Sequence, residues 1–378
     1  MKKIICFIFL LFFFTQAIAV FATDNFEEIY NEQIKTSAAN ELCDNVPEEA
    51  KDALEDIGIN KIDWNDLIKL TPKSILEKVL SIAKDKSPSI FKAVASILAI
   101  VLLSALFSSM KTSIAKESLQ NVWAIVSTLC ICMIAINPII STISYASNVI
   151  SGASKFLLCY IPIMVGVMIV SGQGILGASY SALMLTVGEV MAQVSSILLV
   201  PLLNVFLVLS IVSSISPRLN FSGICNLFSK TIKWILGFAM AVFTGLLTIQ
   251  SIVGTAADNI GTKAAKFVLS GCVPVVGSAL SDAFLTVQSS VKLLKSGVGA
   301  FFILALGFVF LPVVMQCLLW LFSVNFCASI GELFELSEIS KLLKRTGEVI
   351  STILVILLCS AVVLIISTVV VLTVGGSS

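Results

Sequence analysis

The chain has 378 residues, 57% of them apolar and 12% charged, with a net charge of +1. Soluble domains carry about 25% charged residues, so a soluble globule is excluded. Long unbroken apolar runs exclude an outer-membrane barrel, whose strands alternate. The absence of histidine removes His-based general bases, proton relays and metal ligands.

Lys2 and Lys3 precede an apolar run from Ile4 to Phe14, and Val20-Phe21-Ala22 is a small-residue exit before Thr23. Residues 1–22 read as a signal peptide, which makes 23–90 an exported segment. That segment holds 15 acidic and 8 basic side chains, whereas the residues after position 90 hold 8 and 14. Helical spacing recurs at Phe26, Ile29, Tyr30 and Ile34, and again after Pro47. Thr71-Pro72 has the form of an N-cap with proline at the first helical position. Ile75, Leu76, Val79, Leu80 and Ala83 follow as one apolar face.

Apolar spans are expected at about 91–110, 120–143, 156–171, 174–216, 232–253, 298–326 and 350–374. The 174–216 run is long enough for two helices, or for a half-helix and a long tilted one. Residues 91–119 are the first span and its loop, and 350–378 the last span. Between the spans lie three basic groups: Lys111 and Lys116; Arg218, Lys230 and Lys233; Lys341, Lys344 and Arg345. Basic loops mark the cytoplasmic side. All three groups fall inside when residue 23 is outside, and residues 329–349, with ELFELSEISKLLKR at 332–345, read as a cytoplasmic amphipathic helix. Glu338 can support it through Lys341 or Lys344.

The stretch 251–300 departs from this pattern. Its apolar centre, FVLSGCVPVVGSAL at 267–280, has only 14 residues, where a span needs roughly 20. Gly271, Pro274 and Gly277 interrupt it, which suits a re-entrant or broken helix with its tip near Pro274 to Asp282. Lys263, Lys266, Lys292 and Lys295 fall on the outer side, against the charge rule. A self-comparison pairs ASKFLLCYIP at 153–162 with AAKFVLSGCVP at 264–274. It suggests a parallel repeat of about 111 residues, with copies at 120–216 and 232–328. The expected fold is therefore all-α and polytopic, with about 6–8 spanning helices and two broken hairpins, at 156–185 and 267–296.

Candidate site residues are few. Glu189 is the one charge between Lys155 and Arg218. A carboxylate at mid-membrane costs on the order of 3 kcal/mol, so it is expected to face the bundle interior with a partner, as a structural hydrogen bond or part of a pathway. Asp258, Lys263, Lys266, Pro274, Gly277, Asp282, Lys292 and Lys295 are candidates for a pathway or a structural role. Headgroup snorkelling is the plainer reading of the lysines, making membrane lipid their partner. Gly172, Gly174 and Gly177 spell GxGxxG, but no βαβ unit surrounds them, so they read as a glycine-rich turn and not a dinucleotide site. The cysteines, at apolar positions or alone, read as small hydrophobes. No nucleophile has a base beside it, and no basic run is interleaved with aromatics as nucleic-acid binding would require. The chain reads as a non-enzyme without catalytic residues, metal or cofactor.

A signal peptide, a small acidic exported domain and a polytopic body carrying VPVVGSALSD (273–282) and CASIGE (327–332) resemble the stage III sporulation protein AE family of endospore-forming Firmicutes. The resemblance implies a component of the channel complex joining mother cell and forespore, in the mother-cell membrane around the forespore. It further implies ring-forming subunits and a cytoplasmic ATPase of the same stage III A group as partners. The alternative reading, suggested by the repeat and broken hairpins, is a secondary transporter or permease for a small solute.

Overall fold

The computed structural model describes residues 39–59, 62, 66, 71–109, 117–193, 200–215, 222–272 and 277–373. Residues 1–22 and the Phe26–Ile34 pattern lie outside them. Among the described residues the regular structure is all helical: α1 Ala39–Asp44, α2 Glu48–Asp56, α3 Pro72–Ser109, α4 Glu117–Val170, α5 Gly174–Gln193, α6 Val200–Ile215, α7 Ser222–Cys272, α8 Gly277–Leu333 and α9 Ser337–Thr373. Six of these helices are long and apolar enough to cross a membrane: α3, α4, α5, α7, α8 and α9. The all-α polytopic expectation holds.

α3 begins as its sequence dictates. Pro72 opens it, and the Thr71 hydroxyl accepts a 3.3 Å bond from the Ser74 amide. The helix then runs through Pro88 to Ser109 without a break, so the expected boundary at residue 90 falls inside it. The expected apolar face near its start is not fully covered: Leu76 and Leu80 are exposed.

α4 joins two expected spans into one helix of 54 residues. At 1.5 Å per residue, such a helix is about 80 Å long if straight, against roughly 30 Å of hydrocarbon. Pro138 and Pro162 lie inside it, the positions at which long helices bend. Its polar residues do not break it because they satisfy themselves on the helix: Thr142 donates to the Pro138 carbonyl at 2.8 Å and Ser154 to the Ile150 carbonyl at 2.9 Å. Pro162, the expected counterpart of Pro274, is thus mid-helix. α4 ends at Val170 and α7 at Cys272, positions that do not coincide in the alignment that suggested the repeat. Gly271 is the next-to-last residue of α7.

α8 is the axis of the bundle. In its most apolar stretch 78% of residues are buried, against 11% in α7. Phe302 stacks on Phe156 and Tyr160 of α4, with ring centroids 5.0 and 3.9 Å away. Gln316 donates to the Thr142 hydroxyl at 2.9 Å. α9 lies close along α8, where Gly299 leaves room for Leu372: a methyl there would sit 2.5 Å from the leucine side chain.

Residues 332–345 do not form one helix. α8 stops at Leu333, and Glu335 takes a left-handed φ of 58°. The Leu336 amide donates to the Gly331 carbonyl at 2.8 Å and the Glu335 amide to Glu332 at 3.0 Å, the paired bonds of a Schellman turn. Ion pairs staple both sides: Glu338 with Lys341 at 3.2 Å, and Glu332 with Lys344 across the turn.

The helix ends flanking the three basic connections gather at one end of the bundle. Phe107 stacks on Trp123 across the α3–α4 connection, and Ser210 meets Cys225 across α6–α7. Arg345 of α9 reaches Asn226 of α7 at 2.8 Å. Leu207 and Ile211 of α6 line one small cavity with Leu342 and Leu343 of α9. A shared end for all three groups is what the charge rule requires of cytoplasmic loops. Reporter fusions after residue 115 and after residue 225 are expected to read cytoplasmic alike; an exported signal from either would contradict this topology.

A side chain at a left-handed position costs about 1–2 kcal/mol, a penalty glycine escapes. Glu335→Gly is therefore expected to stabilise the detergent-solubilised protein by about 0.5–1 kcal/mol after glycine's greater chain entropy is counted. An unchanged or lower unfolding midpoint would contradict the strain.

Candidate functional site

At the end of the bundle opposite the basic connections, four helices meet on the three-residue turn Ser171–Gln173. α4 ends there because Gly172 takes a φ of 80°. The Gln173 amide donates to the Met168 carbonyl at 2.8 Å, and the Gly172 amide to Ile169 at 3.0 Å, a Schellman turn with glycine at its left-handed position. The GxGxxG string is thus a helix-to-helix turn, as its context implied. Gly174 then opens α5, and a methyl added at Gly177 would lie 3.4 Å from Met168 and 3.7 Å from Val165.

The first amides of α5 have no partner within their own helix. Asp258 of α7 supplies it. One carboxylate oxygen accepts from the Ile175 amide at 3.0 Å and the other from Leu176 at 2.9 Å. Asp258 is 8% exposed, so its charge lies in a low-dielectric setting at the positive end of the α5 dipole. Lys295 of α8, 4% exposed, donates to the Gln173 side-chain oxygen at 2.8 Å. One carboxylate and one ammonium, from different helices, are therefore anchored to the same turn.

A stripe on α7 carries the contact downward at intervals of four residues. Gly254 sits against Leu176, where an added methyl would lie 3.0 Å from the leucine Cα. The Gln250 amide donates to the Ser179 carbonyl. Deeper in the bundle, the Tyr160 and Tyr180 hydroxyls are buried beside Ser367 and Thr368 of α9.

Among the described residues, the structure brings together Asp258 and Lys295 of the expected site residues. Lys263 is exposed, as snorkelling requires, whereas buried Lys295 does not snorkel. Pro274 lies outside the described residues, as do the side chains of Lys266, Asp282 and Lys292. Gly277 is the first residue of α8, and Asp282 lies in the second turn of that helix. Glu189 differs from expectation: its side chain is exposed, not turned inward, and accepts from Gln193 at 2.9 Å. α5 presents Tyr180, Met184 and Gly188 to the interior, which leaves Glu189 on the outer face. Gln173, Gln250, Tyr160 and Tyr180 escaped the sequence reading. The four-residue spacing of Gln250, Gly254 and Asp258 was the available signal for a polar packing stripe.

The model of the family described as stage III sporulation protein AE matches residues 60–375. The chain belongs to that family. It is 23% identical, over 208 residues, to the stage III sporulation protein AE of Bacillus subtilis (strain 168). That match covers 55% of the chain and 52% of the relative, so the chain spans about half the length of the curated relative it matches. No solved structure matches. The latch at Asp258, the turn at Gly172 and the α8 core all lie within the family region.

Removing the Asp258 carboxylate leaves one buried and one part-buried amide without an acceptor, at about 1–3 kcal/mol for a buried one. Asp258→Ala is expected to lower stability by about 2 kcal/mol or more. Asp258→Asn, which keeps one acceptor, should cost less. Equal unfolding midpoints for the two variants would show that the carboxylate does not hold α5.

Proposed function

We propose that this sporulation-family protein is a membrane subunit of the stage III complex linking mother cell and forespore. In this reading it sits in the mother-cell membrane around the forespore, with residues 23–90 extracytoplasmic. Its partners are the ring-forming subunits and the cytoplasmic ATPase of the stage III A group. The observation that carries the reading is the family match over most of the chain, on a body with six apolar helices of membrane-spanning length. Two small cavities among the described residues hold about 10 Å³ each, barely what one water requires. The charges of the latch are engaged with backbone and side chain, in a structural role.

Residues Pro274, Gly277 and Asp282, with Lys263, Lys266 and Lys292 nearby, remain the proposed lining of a passage shared with partners. This is the stretch where α7 gives way to α8.

Solubilisation from sporulating cells and tag purification is the test. The ring and ATPase proteins are expected to co-purify. Substrate-dependent flux in vesicles holding this protein alone, without co-purification, would overturn the reading in favour of a permease. Bulky substitutions at Gly277 should impair sporulation while leaving co-purification intact; unimpaired sporulation would remove the passage role from this stretch.

A further inference from the structure

Glu189 is an ionisable group on the outer face of an apolar helix, and its depth can be read from the helix beside it. α5 and α7 run antiparallel, tied where Gln250 meets Ser179 and where Gly254 lies on Leu176. Glu189 is ten residues beyond Ser179, and ten residues back from Gln250 is Met240; the Gly254–Leu176 pair points to Ala241. The carboxylate is thus level with the middle of the apolar stretch Gly223–Asp258. Among the described residues its hydrogen-bond partner is the Gln193 amide alone. A carboxylate has about four acceptor sites, and at mid-membrane an uncompensated charge costs on the order of 3 kcal/mol. The described residues offer little compensation.

At the same level the outer face of α7 carries an open, shallow groove lined by Met240, Ala241, Thr244, Gly245, Thr248 and Ile249. No neighbouring group among the described residues lies within 4 Å of where a Cβ on Gly245 would be. Small residues allow close helix approach in lipid, and threonine hydroxyls supply hydrogen bonds there.

We propose that the protein self-associates head to tail in the membrane, the Glu189–Gln193 face of α5 in one copy seated in the α7 groove of the next. The Thr244 hydroxyl of the neighbour donates to the Glu189 carboxylate. Depth selects this occupant. Copies inserted in the same sense are related by rotation about the membrane normal, so every residue keeps its level in every copy. Glu189 therefore meets the neighbour's α7 at Met240 to Thr244, inside the groove. Two-fold contacts fail. α5 against α5 sets Glu189 against Glu189, like charges at one depth, and α7 against α7 leaves both carboxylates in lipid. A head-to-tail contact closes into a ring when its rotation closes.

The test uses full-length copies with two different tags, co-expressed with their native cysteines. One carries Ala182→Cys, on the exposed face of α5 with Glu189; the other carries Thr248→Cys, in the groove. Ala182 and Thr248 share a level by the same register. Oxidation in membranes is expected to link the two tags several-fold above the wild-type background, and only when both substitutions are present. Adding Gly245→Leu to the Thr248→Cys copy fills the groove and should abolish the link. That position is open in the single chain, so monodisperse yield in detergent serves as the folding control. No link in the mixture, an equal link from Ala182→Cys alone, or a link that survives Gly245→Leu in well-folded protein would each overturn the proposal.

Discussion

A helix that ends inside a low-dielectric bundle must give its unpaired peptide groups to something other than water. In this protein that demand is met at one place above all. The first amides of α5 are taken by Asp258, which belongs to α7. The α4–α5 turn can then be tight, because Gly172 closes α4 and Asp258 opens α5. α7 is drawn against α5 along Gln250, Gly254 and Asp258, and α8 is tied to the same turn through Lys295 and Gln173. Four helices take their relative heights from three residues of turn.

Those heights organise the rest. With α8 at the axis, the aromatic stack of Phe302 on Phe156 and Tyr160 fills the layer below the latch. α9 packs along α8 where Gly299 makes room for Leu372. α7, by contrast, is committed to the bundle on a single stripe and leaves most of its surface outside. A helix so little buried within its own chain is well placed to contact lipid or another chain. Both exposed features singled out above, the α7 groove and Glu189, lie on the outside at one depth.

The charges therefore divide by role. Asp258 and Lys295 work within the chain, holding helix ends together. Glu189 faces outward, where its compensation must come from beyond the chain. This division suits a subunit of a membrane assembly, the role proposed from family membership, better than a closed transporter with its charges aimed at a central cavity.

Much of the architecture was legible in the residues. Composition and apolar runs determined the all-α polytopic class, Thr71-Pro72 determined the start of α3, and the basic groups foretold which helix ends share one end of the bundle. These are local or additive properties: a cap needs its own neighbours, and hydropathy and charge sum along the chain. The site was legible only as names. Asp258 and Lys295 stood out as charges among apolar residues, but not as anchors of one turn, because their partners Ile175, Leu176 and Gln173 lie some 80 or more positions away in sequence. Glu189 was expected inside and is outside, because orientation depends on which face of α5 packs on α4. Pro162, paired with Pro274 in the self-comparison, lies within α4, because a helix packed against its neighbours tolerates a residue that would weaken it alone. Sequence by itself determined which stretches are apolar and helical and which end carries the basic loops. Tertiary structure alone decided which polar groups satisfy one another, because in a medium without water that pairing is set by how distant helices come to lie side by side.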